Sequence, residues 1–131
     1  MNAETHRIDL SHVIDRMHEE YGKKIFCGEG WYQLIWDLDY QLALIDPDYT
    51  IFQIKEKFGE LRFYYNSKDM RKYYMMSEII EKYEAMSTSV CEETGLPGEL
   101  MKSSKGTYKT LNRENAPKDY KPVHNLYHSL D

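Results

Sequence analysis

The stretch Thr50-Ile51-Phe52-Gln53-Ile54-Lys55-Glu56-Lys57-Phe58-Gly59-Glu60-Leu61-Arg62-Phe63-Tyr64-Tyr65 decides the fold. Phe52 and Ile54 alternate with Gln53, Lys55 and Lys57; Leu61, Phe63 and Tyr65 alternate with Arg62 and Tyr64. A period of two sends successive side chains to opposite faces of an extended chain. Two such runs meeting at Phe58-Gly59 predict a β-hairpin with one apolar face and a glycine bulge at its turn. An isolated hairpin is marginal in water, so the apolar face needs a cover.

The neighbouring segments can supply it. From Met70 to about Val90, Tyr73, Met76, Ile79, Ile80, Tyr83 and Met86 recur at helical spacing and predict a long helix packed on the hairpin. Upstream, Trp31, Leu34, Ile35, Leu38, Leu42 and Ile45 form one stripe, ended by Asp46-Pro47-Asp48, where the residue before proline disfavours helical geometry. A further amphipathic helix is predicted from His6 to Tyr21 through Leu10, Val13, Ile14 and Met17, stopped by Gly22. Between them Cys27-Gly28-Glu29-Gly30 reads as a tight loop. Helices gathered around a hairpin define an α+β domain.

Past Cys91 the composition turns to Gly, Ser, Lys and Thr, and Leu100-Met101 and Tyr108 to Leu111 suggest two short strands. Residues 1–115 are expected to form one domain, and 116–131 an irregular C-terminal tail that either wraps the domain or trails into solvent.

Three segments together resemble a family of small phage and prophage proteins. They are Cys27-Gly28-Glu29-Gly30-Trp31-Tyr32, the run from Ile54 to Tyr64, and Cys91-Glu92-Glu93-Thr94-Gly95-Leu96-Pro97-Gly98 followed by Thr110-Leu111. The resemblance implies that residues 91–115 correspond to a zinc ribbon whose ligand positions are Cys91, Thr94, Asn112 and Asn115, with seventeen residues between the pairs. Threonine and asparagine cannot replace thiolate or imidazole, so the expected ribbon is degenerate and binds no metal. It would rely on packing of Leu96, Leu100, Tyr108 and Leu111, unless the segment is simply an extended loop. No cofactor is expected.

Composition narrows the function classes. No run reaches the roughly 18 apolar residues of a membrane span, and Met1 to Arg7 lacks the apolar block of a secretory leader, so the chain is expected in the cytoplasm, the host cytoplasm on the phage resemblance. Two distant cysteines, Cys27 and Cys91, are expected to stay reduced there. The net charge of −5 divides into −6 for residues 1–50 and +1 for the rest, without the basic footprint of a duplex-DNA binder.

Catalytic constellations are hard to assemble. His12 and His18 do not share a helix face, and His124 and His128 would form a metal pair only on a helix. Cys27 before a helix is a conceivable nucleophile, yet no histidine can be assigned as its base. Phosphate-loop, dinucleotide and hydrolase motifs are absent from the sequence. A non-enzymatic role is therefore expected.

Two surfaces remain. An acidic face of Asp37, Asp39, Asp46 and Asp48, in a chain with twelve tyrosines, suits recognition of a protein with a basic surface. The phage resemblance implies that this is a host protein, of a defence or transcription complex, and that an anti-defence role is to be expected. The alternative is a nucleic-acid-binding accessory module using Lys55, Lys57, Arg62 and Tyr64 on the hairpin's outer face, since cations interleaved with aromatics hold single strands.

Overall fold

The computed structural model describes residues 8–123. Its elements run α1 (Ser11–Ile14), β1 (Ile25–Phe26), α2 (Tyr32–Ile45), β2 (Thr50–Lys57), β3 (Glu60–Asn66), α3 (Met70–Ser87), β4 (Glu99–Lys102), β5 (Tyr108–Leu111) and β6 (Lys121–Pro122), with single 3-10 turns at Glu19–Tyr21 and Glu29–Trp31. They build two three-stranded sheets, ordered β1-β2-β3 and β5-β4-β6. The fold is α+β.

β2 and β3 pair antiparallel as the alternation requires, but the irregularity sits elsewhere. Ile51 faces Tyr65 and Gln53 faces Tyr64, so Phe52 is the inserted residue of a bulge. The extra residue shifts the pleat: Ile51 and Ile54, three apart, both point into the core. Phe52 instead stacks on His18 at 4.9 Å between ring centres. The turn is a two-residue loop, Phe58-Gly59, with both φ angles positive at 53° and 81°. That is what a twist-matched type I′ hairpin demands.

Behind the hairpin, Ile51, Ile54, Leu61 and Phe63 pack with Leu34, Ile35, Leu38 and Leu42 of α2 and Met76 and Ile80 of α3 into one core. Asp69 caps α3 by accepting from the Arg71 and Lys72 amides at 2.9 and 3.2 Å. α3 also closes the free edge of β3. Its Ser87 hydroxyl accepts from Leu61 N and its Glu84 carboxylate from Phe63 N, both at 2.9 Å. Edge amides satisfied this way cannot template another strand.

The predicted first helix is shorter than its periodicity suggests. Only Ser11–Ile14 is α-helical, because the following residues pair with the other edge of the sheet. Ile51 N donates to Arg16 O at 3.0 Å and His18 N to Ile51 O at 3.2 Å. Two-residue β1 extends that pairing, parallel to β2 through Ile25↔Ile54 and Phe26↔Lys55. Amide demand at an open sheet edge outweighs a local helical pattern.

The ribbon is a real hairpin, with β4 and β5 in register from Glu99↔Leu111 to Lys102↔Tyr108. Its small core differs from expectation. Cys91, Met101 and Leu111 are buried with Ala116 and Tyr120 against them, while Leu96 and Leu100 are exposed. Residues beyond 115 also take part: β6 adds a third strand through Met101↔Pro122 and Lys102↔Lys121, so 116–122 is not a loose tail.

Candidate functional site

The residues at the expected acidic face do not form one. Asp39 is buried, accepts a hydrogen bond from the Tyr49 hydroxyl, pairs with Arg16 Nε at 2.8 Å and lies 3.3 Å from His12 Nε2. Arg16 goes on to donate to Pro47 O at 2.7 Å and covers the Tyr49 ring at 4.3 Å. Asp46 is buried too, accepting from Ser67 Oγ at 2.6 Å, a bond that holds its carboxyl below the usual range. Of the four only Asp48 is exposed; Asp37 is half-buried and accepts from Gln33 Nε2 at 2.9 Å. The two buried aspartates are internal ties: Asp39 joins α2 to Arg16 and to Tyr49 before β2, and Asp46 joins the end of α2 to Ser67 between β3 and α3.

The outer face of the hairpin does assemble. Cross-strand partners share a face. Lys55 opposes Arg62, Gln53 opposes Tyr64 and Lys57 opposes Glu60, all turned away from the core residues Ile54, Leu61 and Phe63. β1 adds a residue that sequence reading missed. Ile25 packs on the core, so Phe26, paired with Lys55, faces out beside it. Phe26 and Tyr64 are 51% and 43% exposed. The result is a row Phe26–Lys55–Arg62 across three strands, flanked by Tyr64 on one side and Lys57 on the other. Arg62 pairs with Glu60 at 3.5 Å and also acts on the Glu84 carboxylate.

At the tip of the hairpin the face turns towards the ribbon. Lys57 Nζ lies 5.9 Å from the centre of the Phe58 ring. Phe58 meets Tyr108 edge-on at 6.4 Å, and Lys102 Nζ lies 5.3 Å from the Tyr108 ring. Phe58 is 67% exposed although its backbone is left-handed. A bulky side chain there is a genuine outlier, of a kind that clusters at working sites.

Beneath this face lies a seam that explains the glycine-rich motifs. Gly30 N donates to Glu92 O at 2.7 Å, Gly28 N to the Glu92 carboxylate at 2.9 Å, and Trp31 Nε1 to Val90 O at 2.7 Å. A Cβ on Gly30 would sit 2.5 Å from Gly95 N and 2.6 Å from Glu92 O. From the other side Thr110 Oγ1 donates to Gly59 O at 2.6 Å. The three motifs interlock and hold the ribbon against the main domain.

Burial, with the nearby Glu92 and Glu56 charges, pushes the Cys27 thiol up to about 12, which favours its protonated form. Burial raises Glu92, whose Oε1 has no hydrogen-bond partner among the described residues. At Cys91 burial works upward but is outweighed. The Thr94 hydroxyl and the amides of Thr94, Asn112 and Glu93 stabilise the sulfur and hold it below the ordinary thiol value. Asn115 Nδ2 donates to Asn112 Oδ1 at 3.1 Å. The four ribbon positions do converge, joined by hydrogen bonds. His124 and His128 lie outside the described residues; among the described residues no group of three metal-ligating side chains gathers. No helix among the described residues is long and apolar enough to cross a membrane.

Against known proteins, no family model, no curated protein and no solved structure matches this chain.

Proposed function

We propose that the protein is a non-enzymatic module that holds single-stranded nucleic acid on the outer face of its β1-β2-β3 sheet. The supporting observation is the row Phe26–Lys55–Arg62 with Tyr64 and Lys57 beside it on the face turned away from the core, Phe26, Tyr64 and Lys57 exposed and Lys55 and Arg62 half-buried. Exposed aromatics offer faces on which bases stack, and the cations between them follow the phosphates. The chain's acidity does not bear on this face evenly, since Asp39 and Asp46 are buried in internal pairs. On the phage resemblance, the module acts in the host cytoplasm as an accessory to nucleic-acid handling.

The test is fluorescence anisotropy with a labelled oligonucleotide over a salt series. Changing Lys55, Lys57 and Arg62 together to alanine is expected to weaken binding and flatten the logarithmic salt slope by about 2, three contacts at roughly 0.7 each. Absence of binding by the unaltered protein at low salt refutes the reading.

A second reading, a host-protein partner with an anti-defence role, draws on a different surface. Trp36, Tyr40 and Leu44 of α2 are exposed at four-residue spacing, and the Trp36 and Tyr40 rings lie parallel at 6.0 Å. Aromatic anchors of this kind dominate protein interfaces. Asp37, on the same helix, and Asp48, just beyond its end, are what remains of the acidic face. A partner captured from host lysate by the unaltered protein and lost on Trp36→Ala with Tyr40→Ala would favour this reading. Equal capture by both would remove it.

A further inference from the structure

We infer that the ribbon is the second half of the same track: a bound single strand leaves the outer sheet face past Phe58 and continues over Tyr108 and Lys102. This rests on the single-strand reading of the outer face. Three observations carry it. The side chains Lys57, Phe58, Tyr108 and Lys102 form a continuous run of two rings with a cation at each end, neighbours lying 5.9, 6.4 and 5.3 Å apart measured to the ring centres, from the main sheet to the ribbon. Phe58 holds a strained left-handed backbone yet presents most of its ring to solvent, so packing does not account for a bulky residue there. The strands of the ribbon, residues 99–123, carry six bases (Lys102, Lys105, Lys109, Arg113, Lys118, Lys121) against three acids (Glu99, Glu114, Asp119); Glu92 and Glu93 bring residues 91–123 to a net +1 within a chain of −5, Lys109 pairing with Glu93 and Arg113 with Glu99. The Thr110–Gly59 and Glu92–Gly30 bonds fix the ribbon's position, so the two halves are pre-aligned and ordering them on binding costs little.

The experiment compares oligothymidylates of about 4 and about 12 nucleotides, within the range of sites on small β-folds. The unaltered protein is expected to hold the longer strand about tenfold more tightly than the shorter, and Tyr108→Ala with Lys102→Ala to abolish that gain while leaving the short strand unchanged. A gain that persists in the double variant overturns the inference and leaves the outer-face reading standing. Failure of both lengths to bind the unaltered protein overturns both. Phe58→Asn provides a variant whose folding is not in doubt, because Asn-Gly is the favoured pair for this turn. Its denaturation midpoint should equal or exceed that of the unaltered protein, while binding of the longer strand falls roughly fivefold or more. Full affinity in folded Phe58→Asn counts against the track.

Discussion

Replacing Gly30 with alanine tests the seam most directly. The added Cβ would fall 2.5 Å from Gly95 N and 2.6 Å from Glu92 O, and closer still to Cys91 O. All three neighbours are backbone and none can swing aside, so the loop and the ribbon must separate. Separation breaks Gly30 N to Glu92 O at 2.7 Å and strains Gly28 N to Glu92 at 2.9 Å and Trp31 Nε1 to Val90 O at 2.7 Å. At about 1 kcal/mol net for each bond, and more for any buried donor left unpaired, the cost is roughly 3–6 kcal/mol. That is a large share of the 5–15 kcal/mol typical of a domain. Urea denaturation reads the loss, and amide exchange places it: protection should fall first along β4 and β5. Gly22→Ala is the control. Gly22, unlike Gly30, has a left-handed backbone, φ +75°, but nothing lies within 4 Å of the new Cβ, so it reports backbone strain without a clash. It should cost only about 1–2 kcal/mol. A Gly30→Ala protein within 1 kcal/mol of the unaltered one, or no more affected than Gly22→Ala, refutes the interlock.

Two further outcomes follow from the buried carboxylates. Burial raises both Glu92 and Glu84, so the folded state binds their protons more tightly than the unfolded chain does. Their contribution is complete below the unfolded values and is lost as pH rises through the folded ones. Glu92→Gln keeps an acceptor for Gly28 N and removes the charge. It should stabilise the protein by roughly 1 kcal/mol at pH 8 and by less at pH 5, measured by urea midpoints, with an equal effect at both pH values contradicting the assignment. Asp39→Ala leaves Arg16 and the Tyr49 hydroxyl without their buried partner and should cost about 3–5 kcal/mol, while exposed Asp48→Ala should stay within about 0.5. Parity between the two in thermal denaturation would return Asp39 to the surface.

The hairpin, α2 and α3 were legible because each repeats one period over several turns or pleats. What escaped the sequence was set by contacts distant along the chain. The bulge at Phe52 is a single inserted residue with no signature of its own, and it exchanged Ile51 for Phe52 in the core. The run after Ile14 carries a helical pattern, but the open edge of β2 needed its backbone more. Asp39 reads as one of several acids on α2 until Arg16 and Tyr49, 23 and 10 residues away, arrive beside it. The outer-face cations were visible by alternation. Phe26 was not, because a two-residue parallel strand leaves no period to detect. Phe58 did leave a clue: a bulky aromatic just before Gly59, at the centre of a two-residue loop that requires positive φ.

The run from Ile54 to Tyr64 can be divided by what the fold needs from each residue. Ile54, Leu61 and Phe63 fill the core; Glu56 accepts from Gly59 N at 2.7 Å and secures the turn; Gly59 receives Thr110 from the ribbon. Each has a structural task. The core needs none of Lys55, Lys57, Phe58, Arg62 and Tyr64; Lys57, Phe58 and Tyr64 are exposed, and Lys55 and half-buried Arg62, which pairs with Glu60, lie on the outer face. A face that only had to stay wet could be built from threonine, serine and glutamate at less cost, since an exposed ring gains nothing from burial and a left-handed phenylalanine carries strain. Yet the rings and the cations gather on one side of one sheet, and the contact that continues them, Phe58 on Tyr108, lies where the seam fixes the ribbon. The seam therefore has a second consequence besides stability. By docking the ribbon it sets the spacing between Phe58 and Tyr108, so the motifs that look most like an active site serve to position a surface made by the residues between them.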